Sequence, residues 1–292
     1  MYSLDHLRMF VESAKSGSFS ACARKLGKVQ SAISQGIAHL ETDMNRQLFD
    51  RSTRKPSLTE DGKRLLVYAE AVLRQSQELS SVVQAMDRME EPLIKVAIEN
   101  ALLVPKFSQI LQAFTKRFPA TAIEVITMTS TDVLDCAIHH QADMGLMFTH
   151  HSFTEEVELC YIGNLPFYPV CNQNHPLADA QMIKVNELIA HRQIMMRGAK
   201  GEATHWLPRI SANIWWTNSF SSMCQLVEQG IGWSYLPRHL ADERLDLGHL
   251  VRLPFSIDHK DWSPSIELIT PKNQIKGPAL SWLYEAMKEL LD

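Results

Sequence analysis

Residues 16–41 read SGSFSACARKLGKVQSAISQGIAHLE. Two short runs with apolar residues at helical spacing flank Gly27-Lys28-Val29: Phe19, Ala23 and Leu26 before it, and Ile33, Ile37, Leu40 and Met44 after it. Ser18 is placed to cap the first run, and Gly27 to stop it. A further helix is predicted from about Gln30. Upstream, Leu4, Leu7, Phe10, Val11 and Ala14 form another amphipathic helix, which Gly17 ends. Two helices joined by a tight glycine-containing turn make a helix-turn-helix. In that motif the second helix enters the DNA major groove with its N-terminal residues at the base edges. Here those residues are Gln30, Ser31, Ser34 and Gln35, with His39 one turn later. Glutamine bonds adenine N6 and N7 together, and serine bonds several bases. Nearby cations such as Lys28 would hold phosphates. On spacing alone, a solvated helix face fits the same row.

The next stretch, RQLFDRSTRKPSLTEDG (46–62), has Leu48 and Phe49 as apolar anchors. Arg51, Arg54 and Lys55 cluster beside Pro56. This reads as a two-stranded wing whose cations grip the DNA backbone. Residues 1–64 hold eleven Lys/Arg against seven Asp/Glu, a net +4, so the rest of this −4 chain carries −8. A basic module on an acidic body points to a polyanion partner for the first part alone.

The segment resembles the DNA-binding domain of LysR-type transcriptional regulators. The matching residues are Phe10, Gly17-Ser18-Phe19-Ser20, Ala21, Ala23, Leu26, Gln30-Ser31-Ala32, Ser34, Ile37, Leu40-Glu41, Leu48-Phe49-Asp50-Arg51, Leu58-Thr59 and Gly62. The resemblance implies base contacts at Gln30, Ser31, Ser34 and Gln35, and a phosphate contact at Arg51. Cys22 replaces a usual Ala. Gly36 stands where the family usually has a larger polar residue, at a cost of about 1 kcal/mol in helix propensity relative to Ala.

From Thr59 to about Arg88 there is no Pro and only one Gly, Gly62. Thr59 can cap, and Glu60 and Asp61 suit the positive end of a helix. Leu65, Ala69, Val72, Ser76, Leu79, Val83 and Met86 step alternately by four and three, a two-position heptad seam. About 28 residues give a rod of roughly 42 Å. Its seam needs cover, from a partner helix or from the chain's own body. Glu90-Glu91-Pro92 would stop the helix and act as a hinge. A paired helix beside a helix-turn-helix would present two reading heads to a pseudo-palindromic double-stranded promoter site. The family resemblance implies a linker-helix homodimer, often assembled further into a homotetramer, and RNA polymerase as a partner if the protein is an activator.

Beyond residue 92, apolar strands alternate with helices: LIKVAI (93–98), a helix over 103–118, AIEVITM (122–128), a helix from Ser130, and MGLMF (144–148). The pattern recurs with FYPVCN (167–172), a helix at NELIA, RQIMMR (192–197), NIWWT (213–217), a helix over 219–230, GWSYLP (232–237), a helix near 238–244, SIELIT (265–270) and a last helix over 278–291. Such alternation argues for a parallel α/β sheet. Two lobes are expected, 93–163 plus 265–292 and 164–264, with crossovers near Gly163-Asn164 and Trp262–Ser265. This half resembles the LysR-type effector domain, through Phe118-Pro119, Ala142-Asp143, His175-Pro176-Leu177-Ala178, Gly230-Ile231-Gly232 and Leu236-Pro237. The fold class is therefore α/β with an all-α-rich N-terminal winged helix-turn-helix (1–58), a long linker helix (59–90) and a C-terminal two-lobed periplasmic-binding-protein-like (type 2) effector domain (91–292).

In such sheets ligands bind at the strand C-terminal ends, near helix N-termini that favour anionic or polar groups. The candidate effector residues are Asn100, Ala101, Thr129, Ser130, Phe148, Arg197, Gly198, Lys200, Thr217 and Phe220. Met195, Met196, Trp215, Trp216, Phe148 and Trp233 lie close by in sequence. They are either core or cleft wall, and as cleft wall they would favour an apolar or aromatic effector.

The histidine pairs 139–140 and 150–151 complete no metal-ligand spacing, and GWSYL lacks the last glycine of a nucleophile elbow. No catalytic residue, metal or cofactor is expected. Five scattered cysteines without a C-x-x-C read as free thiols in a reducing compartment. No apolar run approaches the roughly 20 residues of a membrane span, and the N-terminus lacks a signal peptide's apolar centre. A cytoplasmic, DNA-binding transcriptional regulator that senses a small molecule is the expectation. An enzyme or transport-type solute binder on the same lobes, and direct oxidation sensing through Cys or Met, are the rival readings.

Overall fold

The turn glycines do what the sequence asks of them. In the computed structural model Gly17 and Gly27 take left-handed conformations, φ 66° and 65°, and close the helices before them. The residues described are 2–52, 56–149, 155–198, 201, 203, 204, 206–256 and 259–292. Arg54, Lys55, Lys200 and the histidine pair 150–151 lie outside them. The chain divides into two compact units, 1–86 and 87–292.

The first unit begins with α1 (Leu4–Ser16), α2 (Phe19–Leu26) and α3 (Gln30–Met44). Ser18 Oγ accepts the Ala21 N–H at 3.1 Å and so caps α2. Phe10, Ile33, Ile37, Leu40 and Leu48 are fully buried. Each such side chain contributes about 1.5–3 kcal/mol, so this small core fixes the angle of α3. Gly36 lies on the buried side of α3, where an added Cβ would run into Met9 Sδ, with His6 Cδ2 next at 3.3 Å. It is a packing residue that lets α1 approach α3, outside the polar row. A short hairpin follows, β1 (Phe49–Asp50) paired antiparallel with β2 (Ser57–Leu58), then α4 (Glu60–Asp87). Thr59 Oγ1 accepts the Gly62 N–H at 2.9 Å and donates to the Gln47 carbonyl at 2.6 Å.

The heptad seam of α4 divides along its length. Leu65, Leu66, Ala69 and Leu73 join the helix-turn-helix core. Val72, Leu79, Val83 and Met86 are exposed, Leu79 by 66% and Met86 by 71%. The chain's own body thus covers the early turns and leaves the late ones open.

The second unit has two lobes. The first contains β3 (Leu93–Glu99), a 3₁₀ turn at Asn100–Leu102, α5 (Pro105–Arg117), β4 (Ala122–Met128), α6 (Ser130–Ile138), β5 (Met144–Phe148) and β6 (Val157–Asn164). The chain then passes to the second lobe: β7 (Phe167–Asn172), α7 (Val185–Ile189), β8 (Gln193–Met196), β9 (Ile214–Thr217), α8 (Phe220–Glu228), β10 (Ser234–Pro237), α9 (Arg238–Asp246) and β11 (Leu250–Arg252). It returns through β12 (Ser265–Pro271) and α10 (Pro278–Lys288). The first sheet has the order β4-β3-β5-β12-β6. Its expected all-parallel form is corrected: β3 pairs parallel with β4 and β5, but β12 runs antiparallel to both β5 and β6. β12 comes back from the other lobe and enters the sheet from the opposite end. The second lobe likewise mixes an antiparallel β10-β7-β11 sheet with a parallel β8-β9 pair.

The two crossovers lie side by side. Asn164 Nδ2 donates to the Ser263 carbonyl at 2.6 Å, and the Phe167 N–H donates to the Trp262 carbonyl at 2.7 Å. The Glu91 carboxylate accepts the Ala279 and Leu280 N–H groups at 3.0 and 3.2 Å, at the start of α10. A carboxylate there matches the positive end of the helix. One hydrophobic core runs through both lobes.

Candidate functional site

The outer edge of α3 carries the polar row. Gln30, Ser31, Gln35 and His39 are exposed, and Ser34 is half-buried. Ser20 Oγ donates to Gln30 Oε1 at 2.8 Å, tying the first residue of α3 to α2. The His39 and His6 rings lie 5.7 Å apart. α3 begins after Val29 with no side chain bonding its first N–H groups, so its positive end meets solvent.

Many of the cations that made this module basic already have partners. Lys28 Nζ lies 3.0 Å from Asp5, Lys15 3.0 Å from Glu70, Lys25 2.5 Å from Glu12, and Lys63 2.6 Å from Glu60. Exposed pairs like these are weak and exchange readily for phosphate. Arg51 differs. Its Nη2 sits 2.7 Å from Glu41 Oε2, and its guanidinium lies over the Phe19 ring. Glu41 Oε1 in turn accepts the Leu48 and Phe49 N–H groups at 2.8 and 3.1 Å. Arg51 and Glu41 thus join the start of the wing to α3, and the Arg51 side chain stays 44% exposed, where the phosphate contact is expected. The half-buried place of Glu41 beside the wing was invisible to residue spacing.

In the second unit the described candidates lie at or just after the C-terminal ends of β3, β4, β5, β8 and β9 and at the starts of α6 and α8. In the first lobe, Ser130 at the start of α6 links them. Its Oγ donates to Glu99 Oε2 at 2.7 Å and accepts the Phe148 N–H at 3.1 Å. Thr129 Oγ1 donates to Asp132 Oδ2 at 2.7 Å and is buried. Asn100 is half-buried and opens the 3₁₀ turn, while Ala101 is fully buried in the core. In the second lobe the Arg197 N–H donates to the Thr217 carbonyl at 2.8 Å, and the Arg197 guanidinium lies over Trp216. Arg197 is exposed and Gly198 half-buried. Thr217 Oγ1 accepts the Ser219 N–H at 3.3 Å, just ahead of α8.

Phe148 and Phe220 are wholly or nearly buried, because a residue outside the expected set fills the space between them. The Trp206 indole lies 3.9 Å from the Phe148 ring, 5.2 Å from Phe167 and 6.4 Å from Phe220, centroid to centroid. Phe148 comes from the first lobe and the other three from the second, so this cluster is the inter-lobe contact. Gln193 supports the segment that carries Trp206. Its Nε2 donates to the Pro208 carbonyl at 2.7 Å, and its Oε1 accepts the N–H groups of Ile210 and Ser211. Trp206 lies in a stretch without periodicity, so nothing in the sequence singled it out. Glu99 did leave a signal: it ends the mostly apolar run LIKVAIE at the C-terminal end of β3. Burial raises its pKa to about 7, against the pull of the Ser130 hydroxyl and the nearby N–H groups of Ser130 and Asn100.

The thiols are quiet where they are buried. Burial pushes Cys171 up to about 12 and Cys224 up to about 11, which keeps both protonated and unreactive. Among the described residues no group of His, Cys, Asp or Glu could hold a metal ion, and no helix is long and apolar enough to cross a membrane.

Comparison with known proteins agrees with both halves of this geometry. The model of the bacterial regulatory helix-turn-helix protein, lysR family, matches residues 4–63, and that of the LysR substrate binding domain matches residues 88–292. The HTH-type transcriptional regulator AceR of Acinetobacter baumannii is 27% identical over 288 residues, covering 97% of this chain and 96% of its own. The multiple virulence factor regulator MvfR of Pseudomonas aeruginosa is 27% identical over 275 residues, covering 89% and 80%. Among solved structures, full-length BenM has a TM-score of 0.56 at 21% identity, covering 99% of this chain and 96% of its own. CbnR, a LysR family transcriptional regulator, has a TM-score of 0.52 at 18% identity, covering 97% and 99%.

Proposed function

The chain belongs to the LysR family of bacterial transcriptional regulators, and from that premise we propose how its own residues divide the work. α3 enters the major groove. Gln30, Ser31, Ser34 and Gln35 meet base edges, and His39 stands one turn further along. The observation that carries this is the contrast across one helix: Ile33, Ile37 and Leu40 are fully buried while Gln30, Ser31 and Gln35 on the other edge are exposed. Lys28 moves from Asp5 to a phosphate, and the wing cations Arg54 and Lys55 add backbone contacts. Arg51 holds the wing through Glu41 and adds a phosphate contact of its own.

Two copies pair along the open late turns of α4, where Leu79, Val83 and Met86 lack cover. The pair offers two reading heads to a pseudo-palindromic promoter site. A homotetramer would follow from a second pairing surface, and contact with RNA polymerase from an activator's role. Promoter DNA places this work in the cytoplasm. A small molecule enters between the lobes of the second unit and favours one arrangement of them. It acts only through different affinities for the two arrangements. No catalytic step belongs to this reading, and turnover of a ligand by the purified protein would contradict it.

The test is binding to a promoter fragment as salt is raised. Affinity should fall steeply, as phosphate engagement demands. Ser34→Ala and Gln35→Ala should each cost about 1–3 kcal/mol of preference for the cognate site over random DNA. Salt-independent binding, or selectivity unmoved by both changes, would overturn the assignment.

A further inference from the structure

The second lobe carries an open hollow of about 410 Å³ that shares no residue with the strand-end candidates. Buried Leu253 and Phe255, with Pro254 between them, line it just after β11, beside Pro169 of β7. Met182, 61% exposed, stands at its rim. Backbone bonds hold these walls in place. The Leu253 N–H donates to the Pro169 carbonyl at 2.8 Å, the Ile183 N–H to the Pro254 carbonyl at 2.9 Å, and the Ser256 N–H to the Ile183 carbonyl at 2.9 Å. A preformed hollow of this size, apolar except for a few polar groups, suits a small ligand. Both crossovers border it. Pro169 follows closely on Phe167, Asp261 immediately precedes Trp262, and the Phe167 N–H donates to the Trp262 carbonyl.

Among the described lining residues the charged ones are Arg252 and Asp261, and they pair with each other. The Arg252 guanidinium also lies over the buried Tyr168 ring, 4.1 Å from its centroid. β11 is hydrogen-bonded to β7, and stacking on a ring orients a guanidinium, so the cation is the fixed partner. Asp261 lies in irregular chain between β11 and β12. The two side chains stay 47% and 37% exposed, and exposed pairs exchange readily. A guanidinium has five N–H donors, and the bond to Asp261 uses one. A ligand carboxylate can thus take the place of Asp261 while its apolar body covers Leu253, Pro254 and Phe255. A cationic ligand would gain Asp261 but would meet the charge of Arg252.

We propose that this hollow is a second small-molecule site, beside the crossovers, for an aromatic or aliphatic carboxylate that displaces Asp261 from Arg252. The ligand of the inter-lobe gap is a separate matter, because the two sets of residues do not overlap.

Isothermal titration calorimetry on the full chain without DNA, near pH 7, tests this with four probes: 3-phenylpropionate, 3-phenylpropanamide, 3-phenylpropylammonium and acetate. Phenylpropionate should bind about tenfold more tightly than each of the others, the scale of one charge-assisted contact added to the apolar one. Arg252→Gln should abolish that preference. Asp261→Asn removes the competing carboxylate and should tighten phenylpropionate binding about threefold, the scale of an exposed ion pair. Met182→Glu changes only the exposed rim, keeps the Arg252 pair, and should weaken phenylpropionate by about the same factor through like charge. Amide, ammonium or acetate binding as tight as phenylpropionate overturns the proposal. So does a preference that survives Arg252→Gln, binding not tightened by Asp261→Asn or not weakened by Met182→Glu, or no saturable binding of any probe. None of these outcomes bears on promoter binding, which stands or falls on the salt and Ser34 experiments.

Discussion

Replacing Glu99 with Gln should change how stability depends on pH more than stability itself. An unfolded chain would hold this carboxyl near 4.5; in the fold, burial raises it to about 7, with Asp132 adding a smaller push. The folded state therefore keeps the proton more tightly. The stability from protonation is fully present below pH 4.5 and is lost as pH rises through about 7. At about 1.4 kcal/mol for each tenfold step in proton affinity, the wild-type chain loses about 2–3 kcal/mol between pH 5 and pH 8 through this one group. Glutamine does not titrate, so the variant lacks that loss. Its amide carries a constant offset of its own, because the position of Oε1 offers no partner. The slope is thus the signal. All six tryptophans fall between residues 206 and 282, so their fluorescence follows unfolding of the second unit alone. For a unit of this size 1 kcal/mol moves Tm by about 2–4 °C. The difference in Tm between variant and wild type should grow in the variant's favour by roughly 5–10 °C from pH 5 to pH 8. Parallel curves for the two proteins would refute a buried, proton-holding Glu99.

Other consequences are nearer the surface of the argument. Gly36→Ala improves helix propensity by about 1 kcal/mol but forces a methyl group against Met9, so the net change should be a loss of about 1–2 kcal/mol in the first unit, read by chemical unfolding. Glu41→Ala removes the acceptor of two backbone N–H groups and the partner of Arg51, and should cost about 2–3 kcal/mol; Arg51→Ala should cost less, and DNA affinity should fall with the wing in both. Val83→Glu with Met86→Glu places like charges on the open turns of α4 and should shift the sedimentation coefficient toward a monomer; an unchanged coefficient would show that assembly uses another surface.

Local rules settled the first sixty residues. Gly17, Gly27 and Ser18 act within one turn of their own positions, and the Ile33–Ile37–Leu40 stripe has only one place to go. A helix period, a cap and a turn are short-range properties, which is why the reader helix and wing could be drawn from spacing. The order of strands and helices along the second unit followed for the same reason. Strand direction did not: β12 has the same apolar pattern whichever way it runs, and only its return from the second lobe makes it antiparallel. β6 was missed because Glu158, Cys160 and Gly163 interrupt its alternation, and β11 because three residues carry no period. The seam of α4 showed that cover was needed, but not that the chain's own core supplies it as far as Leu73.

The sites divide along the same line. Sequence alone determined that a polar row lies opposite a buried stripe on α3, since both belong to one helix. It also placed Asn100, Thr129, Ser130 and Phe148 at neighbouring strand ends. Only the tertiary structure decided that Arg51 is bound to Glu41, that Trp206 fills the gap between the lobes, and that Glu99 occupies the start of α6. Each of these joins groups at least ten residues apart in the chain, one of them within a lobe and one between the two lobes. Charge pairing, aromatic packing and desolvation depend on distance in space, and no periodicity in a sequence records it.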